Sequence, residues 1–379
     1  MGAKIARVSK DNFEESDLQS LLEGGRILRD GGTVVFPTET VYGLGANALS
    51  PDAATKIYKA KGRPSDNPLI VHIARLEMLY EIAKDVNEDA LLLMERFWPG
   101  PLTLIFNKKD IVPPETTAGL NTVAVRMPSH KVALKLIEIA GVPIAAPSAN
   151  ISGRPSITSS KYALEEMSER VDMIILSDDC DIGIESTVVD MTGSIPLVLR
   201  PGKISQREIL EAVSGDDAQK LGFMKSRISQ IMAAKKTGEE ADLKADGSTD
   251  NIFDMEKHAP KSPGMKYRHY SPKAKVIVVQ ELEKVREVLS EQLEMKDEDG
   301  KPLYKGEEIR VFCLDGTACI YGEYAYSLGS GSLDLAKNLF TSLRKMDDMG
   351  VRVIICECFG EDELAAAVMN RLIKASSNI

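Results

Sequence analysis

Long hydrophobic runs are missing from this chain of 379 residues. No apolar stretch approaches the roughly 18 residues that a membrane-spanning helix needs. The first eleven residues also lack the apolar segment of a secretion signal, so we expect a cytoplasmic protein with no membrane partner. Cysteine is scarce and odd in number, with five residues. In such a chain they are expected to be reduced thiols and not a disulfide framework.

An excess of basic residues is missing as well, because the formal net charge is −10. A surface devoted to nucleic acid needs a stripe of lysine and arginine that displaces counterions, so we expect no stable tRNA binding. The charge is still compatible with a local cationic pocket, and the placement of the cations therefore matters more than their number.

Familiar nucleotide and metal motifs are absent or incomplete. Neither a Walker loop nor a G-x-S-x-G hydrolase elbow occurs. The pattern Gly43-x-Gly45-x-x-Ala48 matches a loose dinucleotide fingerprint, but it lies six residues beyond the predicted strand and the next helix starts only at Pro51. We therefore reject a dinucleotide site. Cys356-x-Cys358 lacks further ligands, so we predict no metal site made of protein side chains.

The length predicts two domains, since one hydrophobic core stops growing well below this size. The first part alternates helical and strand signals, and adjacent strands without an intervening helix indicate a mixed sheet. Strands are predicted at 33–36, 69–73, 102–106, 122–127, 173–176, 186–191 and 196–199. Helices are predicted from 51 to about 61, near 76–97, at 130–140, at 160–169 and at 205–213.

The last third has the pattern of a small parallel α/β unit. Strands are predicted at 275–279, 309–314 and 351–356, with helices at 281–294, 332–347 and 361–374. The stretch between the two parts is rich in charged and small residues. We predict a first domain at 12–210, a linker at 211–273 and a second domain at 274–379.

Polar segments follow several of the predicted strands, where open α/β sheets bind ligands. The segment 37–45 offers hydroxyls and backbone NH groups, although an ordinary connection explains it equally well. In the segment 59–68, Gly62 and Pro64 end a helix and place Lys61 and Arg63 on a turn. Cations at a helix end can simply stabilise it, but that leaves the arginine unexplained, so we favour an anion site.

Arg126 lies on a predicted central strand, on the same face as Thr122. A buried arginine there needs an anion, which is either a structural carboxylate or a substrate carboxylate. The serine-rich segment 145–156 suits phosphate or ribose, or is a turn without such a role. The fifth segment is 184–190, in which the hydroxyl residues Ser186 and Thr187 begin a predicted strand. Arg200 lies at the end of the next predicted strand.

These segments contribute a basic set within an acidic protein. Such a set focuses an anion into a cleft better than it coats a nucleic acid. Its members are Lys59, Lys61, Arg63, Arg126, Arg200 and Lys203.

Together, the five segments in this order resemble the YrdC family over about residues 15–205. The strip 262–272, Ser-Pro-Gly-Met-Lys-Tyr-Arg-His-Tyr-Ser-Pro, resembles the linker motif of the longer, two-domain threonylcarbamoyl-AMP synthases. The resemblance implies an α/β fold, a YrdC-like twisted mixed sheet with a concave cationic cleft. It also implies a smaller Rossmann-like parallel domain at the C-terminal side.

The resemblance further implies a nucleotidyltransferase that forms threonylcarbamoyl-AMP and pyrophosphate from L-threonine, bicarbonate and ATP. Downstream proteins then transfer the group to a tRNA adenosine. Magnesium would be held mainly through the ATP phosphates. The linker strip would act as a lid that excludes water, or else as a stiff tether between the domains.

The family's site residues carry over position by position. Lys61 and Arg63 are implied as catalytic, with Lys61 meeting bicarbonate or a phosphate. The implied threonine site comprises Thr40, His72, Arg126, Ala146 and Ser186. The implied ATP site comprises Arg63, Asn67, Thr122, Ser148, Ser156 and Arg200, with Tyr267 or Tyr270 of the linker covering the nucleotide.

Two other functions are compatible with a YrdC-like fold. An RNA-binding module without adenylating activity would show steeply salt-dependent tRNA binding, which the acidic charge disfavours. A carbamoyl transferase resembling the YrdC part of hydrogenase maturation proteins would carry a zinc-finger cysteine pattern, which this sequence lacks.

Overall fold

The computed structural model describes residues 2–214, 269–360 and 362–376. Within these residues two separate sheets form, and each is covered by helices. No helix in this part of the chain is both long enough and apolar enough to cross a bilayer.

The larger sheet contains eleven strands from the described ranges and is mixed. The strand order is β1-β9-β2-β3-β8-β4-β7-β6-β10-β11, and β5 pairs with β6 off this path. The sheet combines parallel pairs, such as β4 with β7, and antiparallel pairs, such as β6 with β7. The strands β1 to β11 are Lys4–Arg7, Val34–Phe36, Gly43–Asn47, Ile70–His72, Ala83–Lys84, Leu102–Lys108, Thr122–Arg126, Ile144–Ala145, Met173–Leu176, Thr187–Asp190 and Leu197–Arg200.

Between residues 2 and 214, eight helices surround this sheet, and all but the four-residue helix α5 bury apolar side chains in its core. The helical stretch predicted near 76–97 is two helices, because the chain enters the short strand β5 between them. The helices α1 to α8 are Glu15–Arg29, Pro51–Lys61, Leu76–Ile82, Glu88–Phe97, Pro114–Thr117, Lys131–Ala140, Ser160–Met167 and Gln206–Ser214.

The smaller sheet has four parallel strands in the order β12-β15-β13-β14, all from residues 269–360. The strands are Lys275–Val278, Ile309–Cys313, Ala325–Ser327 and Val353–Cys356, numbered β12 to β15. The helices α9 to α12 are Val285–Glu294, Ala318–Tyr321, Ser332–Asp348 and Glu363–Ala375. The predicted fold class, a mixed sheet with a smaller parallel α/β unit, is confirmed. The boundaries at 210 and 273 stay predictions.

The two units share an apolar core. Val41 and Ile184 of the first unit belong to the same buried cluster as Phe340 of α11. Polar pairs surround this contact, including Arg344 with Glu166 at 2.7 Å. The units therefore stabilise each other through burial, and the first unit does not end at a solvated surface here.

Gly183 permits the close approach of α11 to the first unit. Its φ is +82°, and a Cβ at this position would lie 2.4 Å from the Ala336 carbonyl oxygen and 2.5 Å from the Lys337 Cα. Both neighbours are main-chain atoms, so neither can move aside without shifting the helix. A glycine is required here for its conformation and for its size.

We predict that Gly183→Ala lowers the free energy of unfolding by about 3 kcal/mol or more, because strain in φ adds to a backbone clash. Chemical denaturation measures this. Gly300→Ala is the matched control, since Gly300 has φ +77° but a Cβ added there would meet nothing within 4 Å. Equal losses in the two variants would contradict the packing argument.

Candidate active site

One cavity collects the polar ends of several elements of the larger sheet. It encloses about 700 Å³ of space, including the part open to solvent. Four cations line it: Lys61 from the end of α2, Arg63 just after it, Arg126 from the end of β7 and Arg200 from the end of β11. Chain segments far apart in sequence therefore concentrate positive charge at one place.

Lys61 is the last residue of α2, and Gly62 ends the helix in the left-handed conformation with φ 60°. The lysine side chain turns inward and is only 1% exposed. Its Nζ donates hydrogen bonds to the carbonyl oxygens of Ser148 and Asn150. Burial, followed by the nearby Arg63 charge, holds the pKa of the Lys61 ammonium well below its ordinary value.

Arg63 also uses main-chain carbonyls as partners. Its Nε donates to the Asn67 carbonyl at 3.2 Å, and its Nη2 donates to the Pro68 carbonyl at 3.1 Å. Burial lowers the pKa of Arg63 to about 10, so the guanidinium remains charged at neutral pH. These bonds fix its planar fork against the cavity wall without introducing a carboxylate.

Arg126 has a structural carboxylate as a partner, which was one of the two possibilities left open by the sequence. Its Nη2 lies 2.7 Å from Glu39 Oε1, and its Nη1 donates to Thr40 Oγ1 at 2.8 Å. Burial alone would raise the pKa of Glu39, but the Arg126 charge and hydrogen bonds keep it below its ordinary value. Arg126 nevertheless lines the cavity, so the ion pair does not remove the residue from the site.

Arg200 is fixed to the segment that opens β10. It donates to the Ser186 carbonyl at 3.1 Å and to Ser186 Oγ at 3.2 Å. Ser186 Oγ in turn bonds Thr103 Oγ1 at 2.7 Å. Gly202 allows this packing, because a Cβ there would lie 2.5 Å from the Thr187 nitrogen.

His72 ends β4 directly beside Arg126 in the sheet. Burial, and then the Arg126 charge, lower the pKa of His72 to about 3. The imidazole is therefore neutral at physiological pH. Within the described residues its Nδ1 is buried without a hydrogen-bond partner, which is unusual for a buried polar atom.

His269 and Tyr270 line the cavity from outside the larger sheet. Tyr270 has φ +66°, a conformation rare for a residue other than glycine. Its ring packs 5.2 Å from that of Phe340, and the following Ser271 nitrogen donates to the Gly153 carbonyl at 2.8 Å. The second unit thus holds the end of the linker strip against the site. Tyr267 and residues 262–268 of that strip lie outside the described residues.

Most of the residues implied by the resemblance lie on the cavity wall. They are Thr40, Lys61, Arg63, His72, Arg126, Ala146, Ser148, Ser186, Arg200 and Tyr270. Their roles toward substrates are not visible in the geometry alone and stay predictions.

Three of the implied residues are not on this wall. Asn67 lies beneath Arg63 and accepts its hydrogen bond through the main chain. Ser156 is fully buried and donates through Oγ to Glu185 Oε1 at 2.6 Å. Thr122 begins β7, about 13 Å along the strand from Arg126 at the usual rise per residue.

Sequence reasoning missed Glu185 and its partner. Glu185 lines the cavity and forms an ion pair with Arg371 of α12 at 3.2 Å between Nε and Oε2. The available signal was an arginine on the apolar face of a predicted helix, next to Leu372 and one turn from Val368. Such an arginine needs a buried anion, but the sequence does not say which one.

Known families match both units. A family profile described as "Telomere recombination" covers residues 26–202, and one described as "Threonylcarbamoyl-AMP synthase, C-terminal domain" covers residues 206–377. A threonylcarbamoyl-AMP synthase of Pyrococcus abyssi is 45% identical over 92% of this chain and 92% of its own length. One of Bacillus subtilis is 38% identical over 97% and 95%.

A shorter relative and a solved structure complete the comparison. A putative threonylcarbamoyl-AMP synthase of Mycobacterium tuberculosis is 34% identical over 195 residues, which are 52% of this chain and 89% of its own length. It is therefore too short to contain both units. The structure of P. abyssi Sua5 complexed with L-threonine is 40% identical, covers 98% of this chain and 97% of that chain, and has a TM-score of 0.76. From these likenesses and the matching arrangement of its two units, this chain belongs to the family of threonylcarbamoyl-AMP synthases.

Proposed function

We propose that this chain forms threonylcarbamoyl-AMP and pyrophosphate from L-threonine, bicarbonate and ATP. The product supplies the group for threonylcarbamoyladenosine in tRNA. One observation carries the proposal at the level of residues: four cations from three separate segments line the same cavity as a neutral histidine. Such a cavity suits a polyanion and an amino acid together.

The threonine end of the cavity is assigned to Thr40, His72, Arg126, Ala146 and Ser186. Arg126 binds the threonine carboxylate, since an arginine fork fits that group and Glu39 already fixes its orientation. The neutral His72 accepts a hydrogen bond from the threonine amine. A protonated imidazole would repel an ammonium group, whereas the lowered pKa of His72 keeps it an acceptor.

The ATP end is assigned to Arg63, Ser148, Arg200 and Tyr270. Lys61 also lines the cavity, and we assign it to the reacting groups, where the carbon of bicarbonate must meet the α-phosphate. A lysine ammonium has three N–H donors. Two of those of Lys61 form hydrogen bonds with the carbonyl oxygens of Ser148 and Asn150. The third donor is assigned to bicarbonate or a phosphate oxygen.

The proposed ATP site also retains three residues that do not line the cavity, and the structure supports them to different degrees. They are Asn67, Thr122 and Ser156. Asn67 supports Arg63, and Ser156 supports Glu185, so both act through a neighbour. Thr122 has the weakest support, because it lies at the far end of β7.

The chemistry requires two bonds to form in sequence. The threonine amine attacks the bicarbonate carbon and water leaves, giving a carbamate. A carbamate oxygen then attacks the α-phosphorus in line, and pyrophosphate leaves. Fixing three reactants in register supplies much of the rate enhancement. Lys61, Arg63 and Arg200 stabilise the charge that develops on the phosphoryl oxygens.

Magnesium enters with ATP, held through the phosphates and water. Glu185 is the carboxylate on the cavity wall, and it is already paired with Arg371. The described residues contain no cluster of three or more His, Cys, Asp or Glu side chains suited to a metal ion. The ion's ligands are therefore assigned to the substrate.

The setting and the later steps are also proposals. All five cysteines are free thiols, which supports a reducing, cytoplasmic location. Transfer to tRNA is assigned to separate downstream proteins. The RNA-binding alternative gains no support from these four cations, because they line a cavity and are not arranged as an exposed stripe.

The first test is release of pyrophosphate from ATP. We expect release only when threonine and bicarbonate are both present. Arg126→Met should raise KM for threonine at least about thirtyfold, since a charge-assisted pair is lost, with a smaller change in KM for ATP.

Arg75→Met is the matched control, because Arg75 is a half-exposed arginine 3.9 Å from Glu77 on the surface. It should leave both constants unchanged. Threonine-independent pyrophosphate release by the wild-type protein would overturn the assignment of the reaction. An unchanged KM for threonine in Arg126→Met would overturn only the assignment of that residue.

A second test uses the protonation state of His72. The folded protein keeps this imidazole neutral down to about pH 3, whereas the unfolded chain binds the proton near its ordinary pKa of 6.5. Its contribution is therefore complete above pH 6.5 and is lost as pH falls toward 3. Between pH 7 and pH 5, we expect the free energy of unfolding to fall by about 2 kcal/mol more in the wild-type protein than in His72→Gln.

Urea denaturation at the two pH values gives this difference directly. His72→Gln removes the titrating group but keeps a polar side chain, so other groups cancel in the comparison. Identical pH slopes in the two proteins would show that His72 titrates normally in the fold.

A further inference from the structure

Arg371 lies on α12 in the second unit, and its guanidinium contacts residues of the first unit. Its side chain is 1% exposed. Its Nε lies 3.2 Å from Glu185 Oε2, and its Nη2 donates to the Glu185 carbonyl at 3.3 Å. Its Nη1 donates to the Ala367 carbonyl at 3.1 Å and to the Pro201 carbonyl. One guanidinium therefore holds both the carboxylate that lines the cavity and the turn that follows Arg200.

Glu185 connects this arginine with the proposed ATP site. Its Oε1 accepts the hydrogen bond from Ser156 Oγ at 2.6 Å. Its carboxylate also interacts electrostatically with Arg200, whose guanidinium lines the same cavity. Burial by itself raises the pKa of Glu185, but the charges of Arg371 and then Arg200 lower it below its ordinary value. The carboxylate is therefore ionised.

An ionised carboxylate is unfavourable in a cavity that must receive a triphosphate. It repels the phosphates, and it can neutralise Arg200 by pairing with it. The larger of the two charges that offset Glu185 comes from outside the first unit, since Arg371 lies on α12, which packs with the second sheet. The mycobacterial relative is too short to have both units, so a contribution of this kind requires the second unit.

We propose that Arg371 is a positioning residue for ATP: it binds Glu185 so that the positive charge of Arg200 stays available to the phosphates. The proposal rests on the proposed function, because it takes Arg200 as part of the ATP site. It adds that the second unit supplies a positive charge, that of Arg371, which the ATP site needs. Threonine binding is assigned mainly to Arg126, which has no contact with Arg371, and should depend on Arg371 far less than ATP binding does.

The experiment compares Arg371→Met with the double variant Arg371→Met, Glu185→Gln. In the single variant Glu185 loses its partner and offsets Arg200, so KM for ATP should rise about tenfold or more. KM for threonine should change by less than about twofold on the same reasoning. In the double variant the unpaired carboxylate is gone, and KM for ATP should return to within about threefold of wild type.

The pH dependence distinguishes positioning from loss of structure. Without Arg371, burial raises the pKa of Glu185 and only Arg200 and the Ser156 hydrogen bond still oppose that effect, so the pKa is higher than in wild type and the carboxylate is more fully ionised at high pH than at low pH. The ratio of KM for ATP in Arg371→Met to that in wild type should therefore increase from pH 6 to pH 8.5. Equilibrium binding of ATP to each protein, measured by calorimetry, gives the same comparison without turnover.

Thr341→Val is the matched control at the contact between the units. Its Oγ1 bonds Thr158 Oγ1 at 2.7 Å, away from the cavity wall. It should lower the melting temperature modestly and leave KM for ATP unchanged.

Three outcomes decide the matter. If Arg371→Met has wild-type KM for ATP, or if Glu185→Gln fails to restore a raised KM, Arg371 has no positioning role. If Arg371→Met does not fold at pH 8.5, its ATP binding is measured near pH 6, where Glu185 is less ionised, and weak ATP binding by the double variant would overturn the proposal, since that variant leaves no unpaired buried carboxylate. Absence of threonine-dependent pyrophosphate release in the wild-type protein would instead overturn the proposed function.

Discussion

The burial of several positive charges around one cavity is the constraint on which the rest of the structure depends. Removing a cation from water is unfavourable unless hydrogen bonds replace the water. Lys61, Arg63 and Arg200 are held largely by main-chain carbonyls. A carbonyl satisfies a donor without adding a full negative charge, so the cavity stays positive. Two carboxylates also lie at or near the cavity, and each is paired with an arginine: Glu39 with Arg126 and Glu185 with Arg371.

Local sequence signals predicted the elements that carry this arrangement. The helix Pro51–Lys61 and the strand Met173–Leu176 were predicted within a residue, because an N-cap serine with proline and a β-branched apolar run are local features. The strand Gly43–Asn47 was not predicted. Its two glycines disfavour a strand, yet a Cβ at Gly45 would lie 2.6 Å from the Phe36 ring. That requirement is tertiary and cannot be read along the chain.

The same division holds for the site. Cations and hydroxyls at strand ends were recognisable because parallel strands bring such ends to one edge of a sheet. The partners were not recognisable, since Glu39 and Arg126 are 87 residues apart in the numbering and Glu185 and Arg371 are 186 apart. A sequence motif also does not show which of its residues line the cavity and which are buried behind the lining. Ser156 and Ser148 belong to one serine-rich segment, but only Ser148 reaches the cavity.

The second unit holds several residues of the candidate active site in place. Tyr270 at the cavity packs on Phe340, and Arg344 of α11 donates to the carbonyls of Pro155 and Ser156 in the first unit. Separating the units would expose the shared apolar cluster and leave buried charges on both sides without partners. Two sheets with separate hydrogen bonding therefore form one cooperative structure, because the buried pairs Arg371–Glu185 and Arg344–Glu166 each need a residue from both units.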